Sequence, residues 1–257
     1  MNGLRELVRV VAALRSEGGC AWDRAQTELL MRPYLLEEAH EALDAIDRGD
    51  PNALKEELGD LLFIVAMLAR MAEERGDYSL DDVAAGVADK MVVRHPNVFD
   101  PNHQATGKEG GNDAWADRKE KQGGGKSALD GVPSSLPALL RAHRIGEKAS
   151  RVGFDWPDRT GVRMKVAEEL GELDEALASG NDEAITEEFG DLLFALANLG
   201  RFLPASSEDA LRMAITKFER RFRSVEDDAR ADGHTMHELS ADALEARWQI
   251  AKVKVKS

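Results

Sequence analysis

Apolar residues recur along the chain at three- and four-residue intervals, as in Leu35, Leu36, Ala39, Ala42, Leu43 and Ile46. That period puts them on one face of a helix. DRGDP (Asp47–Pro51) then predicts a reversal into a second helix, which carries EELGDLLF and becomes apolar nearly all round after Asp60. Such a helix belongs at the centre of a bundle. Gly76 suits its end, and Ser79 followed by Asp82 suits the next helix start. The N-terminal stretch MNGLRELVRVVAALRSEG mixes charge into its apolar positions and reads as an amphipathic helix rather than a signal peptide. No alternating, β-branched run argues for a strand. The expected class is all-α.

The pattern occurs twice. Glu37, Glu41, Glu57 and Asp60 return at Glu168, Glu172, Glu188 and Asp191, each at an offset of 131. Tyr34–Arg70 aligns with Lys165–Arg201 without a gap, giving 16 identities in 37 positions. With small shifts, KMVVR (Lys90–Arg94) answers KFERR (Lys217–Arg221), WADRK (Trp115–Lys119) answers WQIAK (Trp248–Lys252), and AWD near Trp22 answers GFDW near Phe154. The chain is therefore read as a tandem duplication of helical-bundle domains, residues 1–120 and 136–257, joined by a Gly/Ser/Pro-rich linker at 121–135. Within that linker, GGGKS (Gly123–Ser127) lacks a glycine five positions before Gly125, where Glu120 stands, and no strand precedes it. It is not a phosphate-binding loop.

Composition narrows the function. The 257 residues carry 34 Lys and Arg against 48 Asp and Glu, a net charge of −14. That charge argues against a DNA or RNA backbone as partner. The single cysteine, Cys20, excludes an intramolecular disulfide framework and suits a reducing cytoplasm. The most apolar run, Leu61–Ala69, is too short to span a bilayer.

The repeated acids carry the chemistry. Glu169 and Glu172 share a helix face, as do Glu188 and Asp191 on the helix that folds back. Crossing those helices gathers four carboxylates, whose repulsion calls for cations. An all-oxygen site suits a hard divalent ion such as Mg²⁺, which takes its remaining ligands from water and substrate phosphates. Lys217 and Arg221, four apart, can grip phosphate oxygens, and Trp248 and Lys252 can offer a stacking surface and a charge. A solvated acidic face is the ordinary explanation of one EExxE. It fits poorly where the second acid pair runs into LLF, and where the whole pattern occurs twice.

These strings resemble the all-α nucleoside triphosphate pyrophosphohydrolases, specifically the MazG family in its tandem two-domain form: GCAWDRAQT, RPYLLEEAHEALDAI, RVGFDW, EEFGDLLFALANLGRF, KFERRFRSVE and a terminal W…K. The resemblance implies hydrolysis of (d)NTPs to monophosphate and pyrophosphate by a homodimer, with Mg²⁺, or Mn²⁺ in its place. It implies metal held by Glu169, Glu172, Glu188 and Asp191, and substrate contacts from Lys165, Glu168, Lys217, Arg221 and Trp248, with Lys252 nearby. Catalysis falls to Glu168, Glu169 and Glu172. No Ser–His–Asp or Cys–His set is present, so an acid such as Glu168 or Glu169 is expected to orient water or accept its proton.

The four acids also stand in the first half, as Glu38, Glu41, Glu57 and Asp60, but Tyr34 occupies the position of Lys165, and Met67 that of Asn198. The lost cation makes the second half the expected catalyst. Asn198, an amide in an apolar helix, needs a partner, either the substrate or a neighbouring helix. Two rival readings remain at this point: a narrow pyrophosphohydrolase for dUTP or phosphoribosyl-ATP, and a non-catalytic metal-binding helical scaffold.

Overall fold

A computed structural model describes residues 2–101 and 127–254. The described residues are helical, with turns and no strand. The chain divides into two compact units, residues 1–119 and 120–257. Trp115–Lys119, most of the GGGKS string and residues 121–126 of the expected linker lie outside the described residues.

The first unit contains α1 (Asn2–Arg15), α2 (Ala21–Ala25), α3 (Glu28–Arg48), α4 (Pro51–Arg75), α5 (Leu80–Arg94) and the short α6 (Pro96–Phe99). Its centre is the α3/α4 hairpin, with α1 and α5 packed against α4. Local chemistry sets the boundaries. Thr27 caps α3 by accepting from Leu30 N–H, and Gly49 ends it at φ 64°. Asp50 then caps α4, whose first residue is Pro51. Gly76 closes α4 at φ 80°. Ser79 and Asp82 form a reciprocal capping box on α5. The core is Val11, Met31, Ile64, Ala66, Met67 and Met71, with Leu7, Phe63, Leu68 and Leu80 against it.

The second unit repeats the plan with α7 (Ala138–Arg151), α8 (Arg159–Ser179), α9 (Asp182–Gly200), α10 (Ser207–Ala231) and α11 (Ala241–Lys254), and a 3₁₀ turn at Met236–Glu238. Asp158 and Asn181 cap α8 and α9, and Gly180 turns between them. α7 packs on α9 and α10, and α10 on α11. The expected linker is not free throughout: Lys148 on α7 donates to Ala128 O at 3.2 Å. His234 and His237, the histidines of GHTMH, are exposed around the 3₁₀ turn.

The central helices depart from expectation. α4 buries Ile64, Ala66, Met67, Ala69, Met71 and Ala72 but leaves Leu58, Leu62 and Val65 exposed. On α9 the buried set is Ala195, Ala197, Asn198 and Gly200, while Phe189, Leu193, Phe194 and Leu196 face outward. Each unit is too thin to cover both faces of its middle helix.

Candidate active site

The α8/α9 hairpin gathers acids at mid-length. Glu169, Glu172 and Glu188 each offer an oxygen, and these lie within 4.8 Å of one another. Glu169 is the inner member, only 5% exposed. Lys165 lies one turn before it, with Nζ 2.7 Å from Glu169 Oε1 and 2.7 Å from Glu168 Oε1. These two carboxylates, Glu168 first, raise the Lys165 ammonium's pKa, so it stays charged across the neutral range. Loss of water, a hydrogen bond to Glu169 and the nearby Glu169 and Glu188 charges hold the Glu172 carboxyl above the usual range, with Lys165 opposing them. The site is a carboxylate cluster with one built-in counter-ion.

Three of the four expected metal-binding acids therefore meet. Asp191, one turn beyond Glu188, is exposed and stands outside the triad. Glu168, also exposed, is held toward Lys165.

Four of the expected substrate residues, Lys217, Arg221, Trp248 and Lys252, lie on α10 and α11. Trp248 packs its ring 5.3 Å from Phe218, which stacks on Phe222. Lys252 Nζ lies 6.0 Å from the Trp248 ring centre. Lys217 is half-buried, and Arg221 has a buried Nε without a hydrogen-bond partner among the described residues. No hydrogen bond or ion pair among the described residues joins these side chains to the triad.

Asn198 is 2% exposed, and both ends of its amide are engaged inside the unit. It donates to Phe194 O at 3.1 Å and accepts from Arg201 Nη1 at 3.1 Å. Its partners lie within α9 and at its C-cap rather than on a neighbouring helix, and sequence reasoning passed over Arg201. The available signal was an amide and a guanidinium three apart at the end of an otherwise apolar helix.

The first unit holds the matching triad, Glu38, Glu41 and Glu57, again with oxygens within 4.8 Å. Burial and the charges of Asp60, Glu41 and Glu37 raise the Glu38 pKa, and burial and Glu41 raise that of Glu57. No cation among the described residues is a leading cause of either shift. Tyr34, in the place of Lys165, instead meets Trp22 edge to face at 6.0 Å.

Residues 26–99 and 160–225 both match the MazG nucleotide pyrophosphohydrolase domain. The chain is 43% identical over 249 residues to the nucleoside triphosphate pyrophosphohydrolase/pyrophosphatase MazG of Thermotoga maritima, covering 96% of this chain and 94% of that protein. The chain belongs to the MazG family. It is also 43% identical, over 98% of both chains, to the nucleoside triphosphate pyrophosphohydrolase of Escherichia coli K12. A similarly named protein of Mycobacterium tuberculosis is 35% identical over 153 residues, 59% of this chain and 46% of its own. The two MazG matches contain the two triads, and the second runs from before Lys165 to beyond Arg221. Trp248 and Lys252 lie after it. No helix among the described residues is long and apolar enough to cross a membrane.

Proposed function

We propose that this chain is a cytoplasmic enzyme that hydrolyses nucleoside and deoxynucleoside triphosphates of varied base to monophosphate and pyrophosphate, and that its C-terminal half is the catalyst. The observation that carries the assignment to that half is the Lys165-buffered triad of Glu169, Glu172 and Glu188. Membership of the MazG family and the names of the full-length relatives support the reaction.

The donor set fits a hard divalent cation, since three carboxylates with one internal ammonium retain net negative charge and offer only oxygen. Glu169, Glu172 and Glu188 would hold Mg²⁺ or Mn²⁺, with Asp191 one turn away on the same face of α9. When bound, the ion would neutralise the triphosphate and acidify water. Glu168 orients the attacking water and accepts its proton. Lys165 pairs with the inner carboxylate and adds positive charge where the triphosphate arrives. Lys217 and Arg221 take charge accumulating on the leaving pyrophosphate, and Trp248 stacks on the base. No protein nucleophile is required. The exposed apolar faces of α8 and α9, among them Leu170, Leu177, Phe189 and Leu193, support a homodimer.

The test is pyrophosphate release from the common NTPs and dNTPs with Mg²⁺, with light scattering for the oligomeric state. Release from several bases that disappears in Glu172→Gln supports the proposal. Release from one nucleotide alone would replace breadth with a narrow specificity. No release from any would overturn the reaction.

A further inference from the structure

The triad draws its acids from two antiparallel helices, so their spacing depends on how the hairpin is held at each end. One end is the tight turn at Gly180 and Asn181. The other is held by a polar clamp outside the site. Arg201, just past the end of α9, reaches the loop before α8, with Nη2 2.6 Å from Asp155 Oδ2 and Nη1 3.1 Å from Asp155 Oδ1. The same Nη1 donates to Asn198 Oδ1. The third helix makes room, because a Cβ on Gly146 of α7 would sit 2.1 Å from Asn198 Oδ1 and 2.8 Å from Arg201 Cδ.

The loop passes this restraint to α8. Immediately after Asp155, Trp156 lies against Gly161, where an added Cβ would be 3.0 Å from Trp156 Cδ1. Asp158 accepts from Thr160 N–H at 2.7 Å and Gly161 N–H at 3.2 Å. Gly161 is one turn before Lys165. The clamp thus joins the end of one acid-bearing helix to the first turn of the other.

We infer that Arg201 is a positioning residue for the acid triad, acting through Asp155 and Asn198 to fix the separation of α8 and α9. As a device for stability it is poor. The side chain is 8% exposed, and its Nε has no partner among the described residues. Desolvation then offsets much of what the pairing contributes. As a device for geometry it is well made, since two parallel N–H···O bonds fix direction as well as distance. The required precision is high. With the acids about 12 Å from the turn, a splay of roughly 5° moves them about 1 Å, a displacement able to cost about a hundredfold in rate.

The experiment uses the full chain carrying Glu41→Gln, which removes one acid from the N-terminal cluster, and compares Arg201→Met, Arg201→Lys, Asp155→Asn and Gly146→Ala. Mn²⁺ alone is titrated by the paramagnetic resonance of the free ion. Pyrophosphate release gives kcat and KM, and circular dichroism gives Tm. Arg201→Met, Asp155→Asn and Gly146→Ala are expected to weaken Mn²⁺ binding and lower kcat by about tenfold, the lower end for residues that orient metal ligands. KM for the nucleotide should change little, and Arg201→Lys should recover only part of the loss. Gly146→Ala touches no charge and carries the test if Arg201→Met fails to fold. Wild-type Mn²⁺ affinity and kcat in folded variants, with only Tm lowered, would overturn the inference. The kinetic arm rests on the proposed function. If the parent releases no pyrophosphate that function fails, while the Mn²⁺ arm still decides the positioning role.

Discussion

The two halves share a hairpin, a triad and a capping scheme, yet solve two local problems differently. In the second half an ammonium stands between Glu168 and Glu169; in the first, Tyr34 fills that position and leans on Trp22. The segment before the hairpin is also tied down from opposite sides. In the first half Arg15 of α1 donates to Asp23 O at 2.6 Å and bridges to Glu74 at the end of α4. In the second half the arginine comes from the other helix, as Arg201, and Gly146 on α7 leaves it room. Arg70, the counterpart of Arg201, turns to Glu73 and Glu74 on its own helix. The differences, Met67 to Asn198 with the moved arginine and Tyr34 to Lys165, therefore fall into two groups. One group relocates the clamp and the other supplies a counter-ion. A duplicated scaffold keeps its acids by inheritance, and the two sets differ in their surroundings.

The largest expected effect separates the triads. Glu172→Gln should lower pyrophosphate release by more than about a hundredfold, because even outer partners of metal ligands are worth roughly 10–100-fold. Glu41→Gln should leave the rate near wild type. Equal losses would break the comparison and make both halves working sites.

Next comes the counter-ion. Lys165→Tyr writes the first half's residue into the second and should lower kcat/KM by about ten- to hundredfold, the range for losing a hydrogen bond to a charged group. The reciprocal Tyr34→Lys places an ammonium one turn before Glu38. If the cation is what the first half lacks, this change in a Glu172→Gln chain should raise residual release. An unchanged residue of activity would show that the counter-ion alone does not distinguish the halves.

Much of this was legible in the sequence because it depends on local spacing. The acid pairs at i and i+3, the Gly49 and Gly180 turns and the Ser79–Asp82 box each follow from contacts within a few residues. The acids then meet because a two-residue turn leaves their helices little choice of register. What was not legible depends on contacts distant in the chain. Asp155 and Arg201 are 46 residues apart, and nothing in GFDW names its partner. The outward faces of α4 and α9 were hidden for a related reason: an all-round apolar helix says that it must be covered, not that its own unit will do it. Asp191 belongs to the pattern by spacing, yet its carboxylate lies outside the triad.

A smaller effect tests the first half's clamp. Arg15 has a side chain 9% exposed, and its loss would leave the carbonyls of Asp23 and Gln26 and the Glu74 carboxylate short of a donor. Arg15→Met should cost about 1–3 kcal/mol of stability while sparing turnover. Arg15 and Arg70 hold the Glu74 carboxyl below its ordinary value of 4.5, against the opposing effect of burial. A depressed carboxylate stabilises the fold above its unfolded pKa, and that contribution disappears as pH falls through the folded value. The gap between wild type and Arg15→Met, followed by chemical denaturation, should therefore be steady from neutral pH down to about 5 and narrow below 4.5. A gap unaffected by acid would mean that the carbonyl contacts, rather than Glu74, carry the clamp.

The smallest expected effect is also the most direct on the comparison, because it concerns repulsion within each triad. Glu57 is pushed up by burial and by Glu41 with no cation among the leading causes, whereas at Glu172 the Lys165 ammonium offsets part of the crowding. Replacing a crowded carboxylate by its neutral amide relieves repulsion without changing shape. In metal-free buffer at neutral pH, Glu57→Gln should therefore raise Tm more than Glu172→Gln does. Millimolar Mg²⁺ should then reverse the order at Glu172. Wild type gains stability by binding the ion in its folded state alone, while Glu172→Gln has lost a ligand and gains less. If Glu172→Gln gave the larger metal-free gain, Lys165 would not be serving as the site's counter-ion, and the asymmetry between the halves would have to rest on the clamp.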